Sequence, residues 1–115
     1  MLEHIYDEAL AVELVRRGLD VKRQVAVAVK YKGILLPTPL RLDLLVNDLV
    51  VVESKAVAKI IPAFISQTAS YLRFGHKRLA LVINFGQRPL RQGIKRVVND
   101  PQHRPPHNPD AVNHL

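Results

Sequence analysis

Two hydrophobic rhythms alternate along the chain. Between positions 2 and 17, Leu2, Ile5, Tyr6, Ala9, Leu10 and Leu14 recur at steps of three and four, the spacing of a helix with one apolar stripe. Arg16 and Arg17 suit the negative end of its dipole, and Gly18 suits the left-handed residue that ends it. From Val21 to Tyr31 the step is two, with Val25, Val27, Val29 and Tyr31 on one face of a strand and Gln24, Ala26, Ala28 and Lys30 on the other. Lys32 and Gly33 form a turn into a short strand around Ile34 to Leu36, after which Pro37 and Pro39 interrupt any ladder. Leu40 to Val46 and Leu49 to Lys55 are Leu- and Val-rich runs flanking Asn47 and Asp48, which are turn formers, so they predict a hairpin.

Helical spacing returns over residues 60–74, with Pro62 tolerated in the first turn and Gly75 as the stop. Leu79 to Phe85 is nearly continuously apolar, as expected of a strand buried on both faces. Ile94 to Val98 fits either a last strand or a short helix. The order helix, three or four strands, helix, strand predicts an α/β (α+β) domain, a mixed central β-sheet flanked by helices.

At 115 residues and 48% hydrophobic, the chain has room for one modest core and one domain. That domain is expected over residues 1–99, followed by a disordered tail over 100–115 in which four Pro and three His follow Asp100. The absence of Cys excludes disulfides and thiolate metal sites. The acidic start MLEHIYDEAL is unlike a secretory leader, and no apolar run reaches the roughly 18 residues of a membrane span, so a cytoplasmic, soluble protein is expected. Lys and Arg outnumber Asp and Glu by 17 to 10, and Ser54 to Asn99 holds nine cations and no acid. Such a balance favours a polyanionic partner.

Three ionisable residues interrupt the predicted hairpin: Asp43 in its first run, and Glu53 and Lys55 in its second. A charged group half buried without a partner costs several kcal/mol in order of magnitude, so such groups persist when they pair or bind an ion. Alternation puts Glu53 and Lys55 on one face. A two-residue Asn47-Asp48 loop would send Asp43 to the other face, whereas a three-residue loop pairing Val46 with Val50 would set Asp43 opposite Glu53. With the second register, two carboxylates make a hard oxygen site suited to Mg²⁺, which would polarise a phosphoryl oxygen and acidify a water. Lys55 could then hold that water and offset charge in the transition state.

The string RLDLLVNDLVVVESKAV resembles the Asp, then Glu-x-Lys, signature of PD-(D/E)XK nucleases. LEHIYDEAL, VKYKG, QTASYL, LALVINF and GIKRVV extend the resemblance, in unbroken order over residues 1 to about 99, to the small bacterial group called GxxExxY proteins. The resemblance implies a restriction-endonuclease-like core and Mg²⁺-dependent cleavage of DNA, with Mn²⁺ as the alternative ion. It implies Asp43 and Glu53 as metal ligands and Lys55 as the catalytic lysine. Gln67 and Tyr71 match the Gln-x-x-x-Tyr motif of RecB-like members, and their i, i+4 spacing puts both on one helical face, where they could touch the site or the DNA backbone. Glu3 and Tyr6 match the Glu-x-x-Tyr of the group's name, with Glu3 a candidate third carboxylate.

Two departures accompany these matches. The glycine expected before Glu3 is missing, which suggests a truncated N-terminal part, and Phe64 and Ile65 stand where polar residues are expected ahead of Gln67. Two functions are therefore carried forward: a metal-dependent DNA nuclease, and a catalytically inactive nucleic-acid-binding or interaction domain on the same scaffold. A homodimer is one arrangement that a small open sheet and a two-stranded substrate allow. His103 and His107 have metal-ligand spacing, but Pro105 and Pro106 forbid the helix that would align them, and His76 reads as a loop residue or phosphate contact. No phosphate-cradling glycine loop or serine nucleophile motif is present, and three Tyr, three Phe and no Trp give little support for a base-stacking platform.

Overall fold

A computed structural model describes residues 2–99. The elements in order are α1 (Leu2–Arg16), β1 (Val21–Val27), β2 (Lys30–Tyr31), β3 (Ile34–Leu35), β4 (Leu40–Val46), β5 (Val50–Lys55), α2 (Pro62–Gly75), β6 (Leu79–Asn84) and β7 (Ile94–Val98). A short 3₁₀ turn over Leu90–Gly93 precedes β7. Five strands form one sheet in the order β1-β4-β5-β6-β7, and β2 and β3 form a separate hairpin. All neighbours in the large sheet are antiparallel except β5 and β6, the parallel pair that α2 connects. This is the mixed sheet with flanking helices of a restriction-endonuclease-like core, and the last segment is a strand. The expected tail over 100–115, with His103 and His107, lies outside the described residues.

Each helix covers one side of the sheet. Beneath α2, Leu72 meets Leu42, Leu45, Val51, Ala80, Val82 and Val97. Beneath α1, Ala11 meets Leu44, Val46 and Val52, with Leu10 and Leu14 packed alongside. The face of α1 differs from expectation: Leu2 and Ile5 are exposed, together with Val12 and Val15. The inward face carries Asp7 and Ala11. Apolar and charged residues are mixed around the whole of α1, so periodicity has no means of choosing its buried face.

Three local features shape the site. First, the expected strand from Val21 to Tyr31 is broken, because β1 leaves β4 after the pair Val27 and Leu40. Val29 then turns inward, 4% exposed, at the base of the small hairpin. Second, α2 ends on His76, not Gly75, in the left-handed conformation at φ 55°, with the N–H groups of His76 and Lys77 donating to the carbonyls of Arg73 and Leu72. Gly75 packs beside Val27, which lies at an ordinary contact distance, 3.8 Å, from where a Cβ would sit. Third, Asn47 and Asp48 both take positive φ, and the Leu49 N–H closes on the Val46 carbonyl at 3.0 Å. Leu49 becomes the odd residue, so Val46 pairs with Val50. The turn is clasped to the residue that precedes β1 by reciprocal bonds: the Asp20 N–H donates to Asn47 Oδ1 at 2.9 Å and the Asn47 N–H donates to the Asp20 carbonyl at 2.8 Å.

Candidate active site

The three-residue loop decides the face of Asp43. Continuing the β4–β5 register one step beyond Leu44 and Val52 sets Asp43 opposite Glu53, yet the regular ladder stops before that pair. Side chains take over there. The Asp43 N–H donates to Glu53 Oε1 at 3.2 Å, and the Ser54 N–H donates to Asp43 Oδ2 at 2.9 Å. Each carboxylate thus replaces a carbonyl acceptor of the sheet, and the two strands part around the pair.

The partner on the other side gives way at the same place. Gln24 of β1, which the register would set beside Asp43, has φ 52° and does not pair with it. Leu42 packs under α2 while Leu44 and Val46 pack under α1, so β4 turns over at Asp43. A bulge-like distortion of this kind re-aims a side chain that strict alternation would fix.

Glu53 is 6% exposed, and burial together with the Asp43 charge pushes its pKa up to about 9 against a smaller opposing pull from Lys55. Two carboxyl groups in one low-dielectric site cannot both ionise cheaply. The same pair reaches the helix above it: the Tyr71 phenol is shifted upward by burial first, then by Glu53 and Asp43. Lys55, half buried, has its Nζ over the Phe64 ring at 4.5 Å to the centroid.

The sequence candidates do not all meet at one point. Asp43, Glu53 and Lys55 share the distorted end of the hairpin, and Tyr71 stands within their electrostatic reach. Gln67 is exposed one turn before Tyr71, where both line a groove between α2 and the base of the β2–β3 hairpin. Glu3 lies at the exit of β5, where its Oε1 accepts the Ala56 N–H at 3.4 Å. Tyr6 stacks on Phe85, with centroids 4.4 Å apart and planes 5° apart. Among the described residues no three His, Asp or Glu side chains gather as a metal-ligating group, so the oxygen site is a pair.

Asp7, Ser54 and Asn84 escaped the sequence reading. Asp7 of α1 is 4% exposed and accepts a hydrogen bond from the Ser54 hydroxyl on the face of β5 opposite Glu53. Its pKa is raised by burial first, with the Ser54 bond opposing and the Asp43 charge adding. Asn84, fully buried at the end of β6, accepts the N–H groups of Val57 and Gly86 on its Oδ1, at 3.0 and 3.1 Å. It thereby fixes the chain just after Lys55. Gly86 has no room for a side chain, since a Cβ there would meet the Val57 carbonyl oxygen at 2.4 Å. An acid in the N-terminal half of a helix and an Asn at the end of an apolar strand look like surface residues, so no sequence signal marks them.

An adjacent pair of carboxyl groups that disfavour each other's ionisation is chemically suited to a divalent cation. Mg²⁺ in particular is commonly held by one or two carboxylates, its remaining positions filled by water and substrate phosphate. Compared with known families, residues 1–97 match the profile of the PD-(D/E)XK nuclease superfamily. No curated protein and no solved structure matches the chain. No helix among the described residues is long and apolar enough to cross a membrane.

Proposed function

The chain belongs to the PD-(D/E)XK nuclease superfamily, and from that membership we propose that it is a metal-dependent nuclease hydrolysing DNA phosphodiester bonds. In this reading Asp43 and Glu53 hold Mg²⁺ or Mn²⁺ and Lys55 is the catalytic lysine. The observation that carries it is the meeting of Asp43 and Glu53 where β4 and β5 part, with Lys55 two residues further on.

The bound ion would supply charge neutralisation at a phosphoryl oxygen. The chain's own residues do the rest. Lys55 offers a positive charge and three donors to a water or a phosphate oxygen. Tyr71 and Gln67, one helical turn apart, position the DNA backbone along α2. Glu3 holds the Ala56 N–H and so steadies the segment that carries Lys55. The uninterrupted run of nine cations between Ser54 and Asn99 attracts the polyanion. We place the domain at residues 1–99 and assign it to the GxxExxY group, on the strength of Glu3, Tyr6 and the strings around them. The exposed Leu2, Ile5, Val12 and Val15 of α1 would serve a homodimer that presents one site to each DNA strand.

One contact favours a second reading. The Lys55 ammonium rests on the ring of Phe64, one of the two residues that stand where polar ones were expected, as it would in a scaffold that binds nucleic acid without cutting it. Cleavage of supercoiled and linear DNA with Mg²⁺ or Mn²⁺ against EDTA tests both. The nuclease reading expects metal-dependent cutting that Lys55→Ala and Asp43→Ala each lower by about 10²–10³-fold. A folded chain that binds DNA in a salt-sensitive way but never cuts it supports the second reading.

A further inference from the structure

The β2–β3 hairpin stands apart from the sheet and has a composition that packing does not explain. Its turn residues Lys32 and Gly33 have φ 50° and 79°, as a two-residue hairpin turn requires. Both strands are exposed throughout, and Ile34 leaves 66% of its surface in solvent. The Leu36 N–H donates to the Val29 carbonyl at 2.9 Å, which anchors the base of the hairpin beside buried Val29.

Alternation puts Tyr31 and its cross-strand partner Ile34 on the face that Val29 and Leu36 carry lower down. That lower face is one wall of a groove of about 800 Å³, whose other wall on α2 includes Gln67, Tyr71 and Arg73. The Tyr31–Ile34 face therefore continues the wall of a groove whose other wall carries Tyr71, which lies within electrostatic reach of Glu53 and Asp43. Charge points the same way: no acidic residue occurs between Val21 and Leu42. Lys30 and Lys32 pair with no carboxylate among the described residues. The Lys32 Nζ lies 5.5 Å from the Tyr31 ring centroid, which keeps it at the tip.

We propose that this hairpin is a wedge for duplex DNA, in which Tyr31 and Ile34 enter beside a base step while Lys30 and Lys32 hold the flanking phosphates. Exposed apolar side chains framed by unpaired cations are the chemistry that unstacks a step and bends the duplex. The inference rests on the nucleic-acid reading of the site, and it adds that the preferred substrate is DNA whose steps open readily.

The test uses the whole chain in EDTA, so that binding is read without cutting. A short duplex carries 2-aminopurine, whose fluorescence rises when it unstacks. Wild type is expected to raise that fluorescence on binding. Tyr31→Ser with Ile34→Ser should abolish the rise and weaken binding roughly tenfold. Tyr31→Phe should preserve it, which separates stacking from the hydroxyl. Lys30→Ala with Lys32→Ala should reduce the slope of log affinity against log salt by about 2. These side chains are exposed, and unchanged circular dichroism verifies folding.

Wild-type binding without a fluorescence change overturns the wedge. So does a Tyr31→Ser, Ile34→Ser protein that distorts DNA as wild type does, and so does loss of a wild-type dimer or of vesicle binding as the sole effect of that variant. A chain that unstacks DNA in EDTA yet never cuts with metal keeps the wedge and sinks the nuclease reading; one that cuts without unstacking does the reverse.

Discussion

Asp43 and Glu53 hold each other in place through the main chain: the Asp43 amide donates to the Glu53 carboxylate at 3.2 Å, and the Asp43 carboxylate in turn accepts the amide of Ser54, the residue after Glu53, at 2.9 Å. Two strands that would otherwise zip together are thus separated by the two acids they carry. The arrangement fixes both carboxylates at the same end of the hairpin, but it also sets like charges against each other in a buried place. Such local conflict is common where a protein gives up stability for chemistry.

The first consequence is a pH dependence of stability. Folding raises the Glu53 pKa from its ordinary 4.5 to about 9, so between these values the folded chain keeps a proton that the unfolded chain has released. This contribution is fully present below about pH 4.5 and is lost as pH rises through about 9. Asp7, also shifted upward by burial, acts in the same direction. Urea unfolding without divalent ions should therefore show stability falling across that window. Added Mg²⁺ should reduce the fall, because it binds the ionised pair in the folded state. A profile that rises toward pH 9 in EDTA would contradict the burial of Glu53.

Ser54 gives the second prediction. Its hydroxyl donates to Asp7, which is buried between α1 and the sheet. Ser54→Ala leaves that carboxyl short of a partner and should cost about 1–3 kcal/mol. Since the Ser54 bond opposes the upward shift of Asp7, its removal should raise that pKa further. The loss should then be larger at neutral than at acidic pH, where Asp7 is protonated in both states. Denaturation of the variant at two pH values checks this, and an equal cost at both would show that Asp7 stays neutral throughout.

Much of this was legible in the chain. Leu- and Val-rich runs on either side of a turn located β4 and β5, and Asp43, Glu53 and Lys55 stood out because they broke those runs. The face of Asp43 was open, because it depended on one residue of loop length, and Leu49 settled it only through the positive φ of Asn47 and Asp48. The long strand expected from Val21 to Tyr31 failed for a related reason: nothing in an alternating pattern marks where a partner strand stops, and β4 begins only at Leu40. Asp7 was invisible because an acid on a helix is normally a solvated charge. Its burial follows from Ser54, far away in sequence, and from a helix whose apolar residues surround it.

Glu53→Gln separates the demands of stability from those of function. The amide is nearly the shape of the acid and can still accept the Asp43 N–H through its oxygen, but it carries no charge to set against Asp43. In EDTA above neutral pH, Glu53→Gln should therefore be more stable than wild type, and the fall in stability toward pH 9 should flatten. The same change removes one of the two proposed ligands, so Mg²⁺ should no longer raise the melting temperature and cutting should be lost. Scanning calorimetry with and without Mg²⁺, on wild type and variant, reads all but the last of these. A Glu53→Gln protein stabilised in EDTA and indifferent to Mg²⁺ has the trade-off expected where a site holds its charges for an absent cation's sake. A variant less stable than wild type at high pH would instead mean that Glu53 is ionised and already neutralised by the chain itself, with Lys55 the nearest candidate.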